Sequence, residues 1–498
     1  MTEVSSRQSF LATRRGKLTL LLLCAIAFLD FVDASIVNIA LPDIRHDLNF
    51  SIQDLQWVLS GYLLTYGGFM LLGGRLGDLL GRRRILVTGT AVFATSSLVG
   101  GFAGSAGVLV GARLAQGIGA AMMLPAALSL LTTNFKEGKE RNTALGVWGG
   151  VAGLASAAGV FLGGLLTEGP GWRWVLFVNP PIAAVLLVAI FVLIPGERRR
   201  AALANFDIPG SLLVTGGMLL LVYALVKAPD QGWASARTLG ELIGAGLLLA
   251  AFVANEQRSR NPLIPLSIFR VRGLAAADVT LLVGAAGLIS MFFFLTLYMQ
   301  NVLGFSPLKT GAAYLPFTAG VAVSAGISSQ LLLKIGTRPL IVVGNLISAG
   351  GLFWLSHIPA DGTYFGDMFG GMMIISVGLG AMFVAVTTAA NAGVSADKAG
   401  LAAALMNASQ QVGGALGLAI FSAIATARTR HLFETHVAPA QALTSGFHLA
   451  LLAECFFVLA TALIALRTNN SRGEQDSAVE GGPVAGEAGP VLEPAALR

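Results

Sequence analysis

Residues 17–42 read KLTLLLLCAIAFLDFVDASIVNIALP. About twenty consecutive apolar residues suffice to cross the hydrocarbon core of a bilayer as a helix, so this run is read as membrane-spanning. Two acids interrupt it. Asp30 and Asp33 are three residues apart and therefore share a helix face. A carboxylate in hydrocarbon costs a few kcal/mol or more, so such residues face a polar cavity, a partner or a proton path. The plainer alternative is a pair near a helix end that reaches water. Both aspartates lie well inside the run; a functional role is favoured for Asp33, while for Asp30 the plainer reading is preferred and function stays the alternative.

Working outward, the whole chain has the same character. Of its 498 residues 55% are hydrophobic and only 12% charged, with a mean hydropathy of +0.75. Soluble domains carry about 25% charged residues. The net charge of +6 is then read as basic loops on a membrane protein, not as a nucleic-acid footprint. Cys24 and Cys455 both fall in apolar runs and make neither a disulfide framework nor a metal spacing. His431 and His436 are too loosely spaced for a metal site, so no metal is expected. The first run is too long for a cleaved signal peptide and lacks its small-residue cleavage site, so it is expected to be retained.

Fourteen apolar spans can be counted, beginning near Lys17, Asp54, Ile85, Val108, Asn142, Trp174, Ile208, Leu239, Leu274, Gly311, Pro339, Phe365, Gly400 and His448. The fold class is all-α, a polytopic membrane protein. Alternate loops hold most of the basic residues, including Arg82 to Arg84, Lys136, Lys139, Arg141 and Arg198 to Arg200. With an even span count, that asymmetry places both termini in the cytoplasm. The most polar interior linkers bracket the seventh and eighth spans. The expected organisation is a tail at 1–16, a six-helix half at 17–196, an inserted helix pair at 197–260, a second six-helix half at 261–466 and a disordered cytoplasmic tail at 467–498. Two six-helix halves suggest a transporter with its site between them.

The run GGRLGDLLGRRR at 73–84 carries more than basic anchors. Gly74 and Gly77 permit close helix approach, and Gly81 permits a tight turn. Topology accounts for Arg82, Arg83 and Arg84 but not for the spacing of Gly74, Asp78 and Gly81. That spacing resembles the loop signature of the major facilitator superfamily. Within it, DASIVNIALP is similar to a signature of the fourteen-helix drug:proton antiporters through Asp33, Asn38, Ala40, Leu41 and Pro42, with Ser35 in place of threonine. RLAQGIGAA resembles the fourth-helix motif through Arg113, Gln116, Gly117 and Gly119. WRWVLFVNPPI matches a later segment with Asn179 and Pro181, and residues 400–420 resemble the thirteenth helix. One departure stands out in the fifth span. Gly159, Gly163 and Gly164 are present, but Val160 replaces the proline of the antiport motif, which leaves antiport against uniport open. Those glycines can serve packing alone.

The resemblance implies a secondary active transporter that exports amphipathic drugs or toxic organic compounds in exchange for protons by alternating access. It also implies a bacterial cytoplasmic membrane. Asp33 would take the proton or the cation, and Arg113 would tune its charge state. Arg113 could instead snorkel to an interface, but Gln116 on the same face favours the bundle interior. Asp30 is the second candidate. Glu454, about two turns into the last span, is either a coupling residue or a lone acid kept neutral. Asp278 and Asp367 lie near span ends and are expected to be solvated. Asn38, Phe31, Tyr62, Gln116, Phe294 and Tyr298 are expected to line the cavity. Asp78 and Arg82 would latch the cytoplasmic side, with Asp78 near Gly400 and Leu401. Expected partners are small amphipathic organic substrates, protons and the lipid bilayer around a monomer; no cofactor and no nucleic acid are expected. The pairs Gly16-Lys17 and Gly138-Lys139 are followed by Leu18 and Glu140, so the phosphate-binding loop is not met. No metalloprotease, paired-carboxylate or nucleophile motif marks an enzyme. Two rivals remain: a dedicated exporter of one endogenous metabolite, and a membrane sensor or scaffold, which has no need of buried charge.

Overall fold

The computed structural model describes residues 10–135, 139–196, 207–259, 262–264, 268–269, 271, 273–391 and 399–472. Among them are fourteen helices long and apolar enough to cross a membrane. They are α1 (Arg14–Leu48), α2 (Ile52–Gly77), α3 (Arg82–Gly101), α4 (Ala106–Asn134), α5 (Thr143–Glu168), α6 (Trp174–Leu193) and α7 (Ile208–Gln231). The others are α8 (Ala236–Arg258), α9 (Leu274–Asn301), α10 (Pro307–Ile335), α11 (Thr337–Leu355), α12 (Tyr364–Ala390), α13 (Leu401–Glu434) and α14 (Pro439–Ala465). The fold expectation is met span for span.

α1 is longer than the quoted apolar run at both ends. Thr13 caps it by accepting a hydrogen bond from the Gly16 amide, and Asn49 closes it in the left-handed region at φ 55°. α1 to α6 form one half and α9 to α14 the other. An internal echo is visible at the turns. Gly81 (φ 103°) joins α2 to α3, and Gly336 (φ 85°) joins α10 to α11, the same junction in each half. A positive φ is cheap only for glycine, so each direct helix-to-helix turn is fixed by one residue.

The two halves meet at the end of the bundle opposite the chain termini. There Asn38 of α1 donates to the Phe292 carbonyl and to Thr296 Oγ of α9, at 3.2 and 3.1 Å. Gln300 of α9 donates to the Ile39 carbonyl at 2.9 Å, and the Leu308 amide donates to Glu168 at 3.0 Å. The inserted pair is not a detached appendage. α7 packs against both α2 and α13, one helix from each half.

One domain expectation needs correction. Residues 468–471 are not a loose tail. Arg338 donates twice to the Thr468 carbonyl, and Thr337 donates to the Asn469 carbonyl and pairs with the backbone of Ser471. The backbone of this segment is met by the side chains of the α10–α11 turn, and Asn470 accepts from the Arg338 amide at 3.1 Å, which composition alone does not reveal. The expectation for the rest of the tail lies outside the described residues.

Candidate coupling site

Asp33 is 0% exposed, at the middle of α1. Its carboxylate is met from two other helices. Arg113 of α4 donates to one oxygen at 2.6 Å. Gln116 of α4 and Asn179 of α6 donate to the other at 2.8 and 2.6 Å. The spacing of three between Arg113 and Gln116 lets them act as one unit, and the arginine also donates to the Gln116 amide oxygen at 2.8 Å. Arg113 is 1% exposed and donates through Nε to the Val58 carbonyl of α2 at 3.0 Å. The guanidinium does not snorkel; it closes an ion pair inside the bundle. Such a pair offsets the desolvation of both charges only because further hydrogen bonds hold each partner.

Asp30 sits one turn earlier and is satisfied differently. Its two oxygens accept from the hydroxyls of Tyr62 and Tyr66 of α2, at 2.7 and 2.9 Å. The Tyr62 ring also lies 4.3 Å beneath the Arg113 guanidinium, a cation–π contact. Tyr62 therefore touches both acid sites, one through its hydroxyl and the other through its ring. Sequence reading did not single out Tyr66, although it follows Tyr62 at i+4 on one face. Asn179 was matched as a motif residue without a role; Ser97 of α3 accepts its second hydrogen bond at 3.0 Å and passes one on to the Leu176 carbonyl.

The glycines of α5 pack against this segment of α1. A β-carbon at Gly159 would lie 2.7 Å from the Ser35 β-carbon, and one at Gly163 would lie 2.6 Å from the Ile36 carbonyl oxygen. Gly164 faces the other half, 2.6 Å from the Pro307 carbonyl by the same construction. α5 thus touches α1 and the opposite half through three small residues.

Other expected site residues fall elsewhere. Phe294 stacks on Phe293 and Phe447, and Tyr298 donates its hydroxyl to the Pro359 carbonyl. Both lie inside the second half, on the side of α9 away from Thr296, and do not line the seam. Phe31 is half-buried on α1, where its carbonyl accepts from Ser35. Asn38 ties the halves together, as described above. Glu454 is 0% exposed with neither carboxyl oxygen partnered, in the contact of α14 with α9 and apart from the Asp33 cluster. Asp367 caps its helix end, accepting from Thr363, in line with a solvated end. Asp278 does not: it is 5% exposed and lacks a partner. In the 73–84 run, Arg83 donates to the Phe191 carbonyl and packs on that ring, while Gly74 lies 3.7 Å from Pro125 by the β-carbon construction. Arg82 opens α3 directly after Gly81. The Asp78 side chain and residues 392–398 lie outside the described residues, and with them the expected contact near Gly400. Among the described residues no group of three metal-ligating side chains is found.

Comparison with known proteins agrees with this architecture. The chain is 39% identical over 464 residues to a puromycin resistance protein of Streptomyces alboniger, covering 91% of this chain and 92% of that one. It is 38% identical to a tetracenomycin C resistance and export protein of Streptomyces glaucescens, covering 81% and 74%. It is also 38% identical to a cephamycin export protein of Amycolatopsis lactamdurans, covering 82% and 85%. Among solved structures, a bacterial homolog to the human lysosomal transporter Spinster superposes with a TM-score of 0.64 at 16% identity, over 91% of this chain and 97% of that one, a likeness of fold alone. The sequence profile of the Major Facilitator Superfamily matches residues 23–418, and the chain belongs to that family.

Proposed function

We propose that this chain exports amphipathic organic compounds in exchange for protons. The observation that carries the reading is the buried Asp33–Arg113 pair with its Gln116 and Asn179 donors. An ion pair at the centre of a membrane domain, held by three helices, is costly to build for packing alone. A proton arriving at Asp33 neutralises the carboxylate and removes its attraction for Arg113. That loosens α1 from α4 and α6. The movement reaches the other half through Asn38 on α1 and through α5, whose glycines ride on α1. Asp30, bound only by neutral tyrosine hydroxyls, is the second proton position, and Tyr62 links it to Arg113.

The basic-residue asymmetry puts both termini in the cytoplasm. The joined end of the bundle then faces outward, and the described state is closed to the outside. The setting is the bacterial cytoplasmic membrane, and the working unit is a monomer. A narrower reading is export of one endogenous compound; the relatives named for tetracenomycin C and cephamycin export favour it.

The test is dye efflux from proteoliposomes under an imposed pH gradient. Wild type should pump against the dye gradient and Asp33→Asn should not, at equal expression and insertion. Uphill pumping by Asp33→Asn with an unchanged pH profile would remove Asp33 from the mechanism. A substrate panel separates broad from dedicated export.

A further inference from the structure

α9 and α14 touch at two depths and part between them. Deeper in the bundle Gly284 and Gly287 of α9 receive Thr461 and Val458 of α14. At the terminal end Gly273, just before α9, receives the backbone of Asn469; a β-carbon there would lie 2.7 Å from the Asn469 amide nitrogen. Between these contacts the helices leave a cleft of about 710 Å³. One wall is Ala275, Ala276 and Val279 of α9, the other is Leu463, Ile464 and Arg467 at the end of α14, and the linker before α9 closes a third side.

The walls change character along the helices. Ala275 and Ala276 are small, which leaves room opposite Arg467. One turn deeper, about 5 Å, Val279 and Leu463 are exposed apolar side chains. The cleft is therefore charged and roomy toward the chain termini, apolar below, and open sideways. Its charge is one-sided. Arg467 is exposed, and among the described residues its guanidinium has neither an ion pair nor a hydrogen-bond acceptor. Neither 264–277 nor 455–473 contains an acid, while the two stretches hold Arg270, Arg272, Arg467 and Arg472. Asp278 comes next on α9, but it is 5% exposed, does not line the cleft and forms no ion pair with Arg467. A guanidinium matches phosphate oxygens in a two-point fork, and basic clefts between membrane helices on the cytoplasmic side suit anionic head groups.

We propose that this cleft holds an anionic phospholipid of the phosphatidylglycerol kind, with its phosphate on Arg467 and an acyl chain along Val279, Leu463 and Ile464. The unpaired arginine selects the negative head. The apolar lower walls and the sideways opening select a lipid over a soluble phosphate. The bound lipid bridges α9 and α14 where their own contacts lapse. The basic-residue asymmetry makes the leaflet concerned the cytoplasmic one. The site lies in the half opposite Asp33 and does not depend on the export reading, which stands or falls separately.

The test titrates purified protein in detergent with dioctanoyl phosphatidylglycerol, dioctanoyl phosphatidylcholine and glycerol phosphate. Bound lipid is counted by native mass spectrometry, and thermal melting is followed with and without lipid. Wild type should hold phosphatidylglycerol more tightly than phosphatidylcholine. Arg467→Gln should weaken phosphatidylglycerol by about five- to tenfold, as loss of a charge-assisted contact does. Arg84→Gln removes an exposed arginine outside the cleft and should stay within about twofold of wild type on the same scale. Ala276→Leu keeps every charge but fills the space opposite Arg467; it should also weaken phosphatidylglycerol, and it carries the test if Arg467→Gln does not fold. Glycerol phosphate should neither raise the melting temperature nor displace the lipid. Equal weakening by Arg467→Gln and Arg84→Gln would reduce the effect to general charge attraction and overturn the site. Binding of glycerol phosphate as tight as that of the lipid would overturn the choice of a phospholipid. A lower melting temperature of lipid-free Arg467→Gln at unchanged lipid affinity would assign the arginine to Asp278 and overturn the site as well.

Discussion

Asp33, Arg113 and Gln116 were legible because a charge inside an apolar run is conspicuous and a spacing of three fixes a shared face. What could not be read was which helices converge on them. Asn179 lies 146 residues from Asp33, and no periodicity announces that contact. Phe294 and Tyr298 were misplaced for a related reason. α9 is apolar on every side, so its pattern does not separate a face that looks at the seam from one buried in its own half. The ion pair makes a sharp prediction. Arg113→Ala leaves a buried carboxylate uncompensated and should destabilise the protein by about 3–5 kcal/mol, as loss of one partner of a buried pair does. Asp33→Asn with Arg113→Gln removes both charges and should recover most of that loss without restoring efflux. Thermal unfolding in detergent reads the first effect and vesicle transport the second. A double variant as unstable as Arg113→Ala would mean that the guanidinium matters for its contacts with Val58 and Tyr62, not for its charge.

At the scale of the helix, the glycines of α5 divide into two groups that sequence treats alike. Gly159, Gly163 and Gly164 meet neighbouring backbone or side chains at 2.6–2.7 Å once a β-carbon is built, whereas Gly146, Gly149 and Gly150 meet nothing within 4 Å. The glycine motif was visible in the sequence, but its working half was not, because a glycine carries no sign of what lies opposite it. Gly163→Val should force α1 away from α5 beside Asp33, with an overpacking penalty of about 1–3 kcal/mol and loss of efflux. Gly149→Ala should leave transport and melting near wild type and can add slight helix stability. Equal tolerance at both positions in a transport assay would contradict close packing of α5 on α1. The tight contacts also bear on Val160. A β-carbon built at Gly311 would press on its carbonyl, so this stretch of α5 is already packed against the opposite half without the proline of the related motif.

For the whole molecule, the order of six, two and six spans was readable from hydropathy and loop polarity, but the seat of the inserted pair was not. Its ties join residues some two hundred positions apart. At the joined end Lys227 of α7 pairs with Asp54 of the first half at 2.6 Å. Asp230, also in α7, pairs with Arg430 of the second half at 3.1 Å, and Arg430 donates to the Pro229 carbonyl as well. One helix is therefore clipped to both halves where alternating access requires them to part. Exposed pairs of this kind contribute about 0–1 kcal/mol each, enough to bias a conformational equilibrium a few-fold but not to hold it. Lys227→Ala combined with Asp230→Ala should leave folding intact and raise the population open at that end. A cysteine at Gln300, whose amide crosses the seam to Ile39, reports the opening in a background without Cys24 and Cys455. Its labelling by an external impermeant thiol reagent should speed up by about two- to fivefold in the double variant, the range such pair energies imply. High salt screens partly exposed charges, so it should accelerate labelling in the chain with the clip and have little further effect without it. Unchanged labelling in the double variant, or the same salt response in both, would mean that α7 rides on the seam without restraining it.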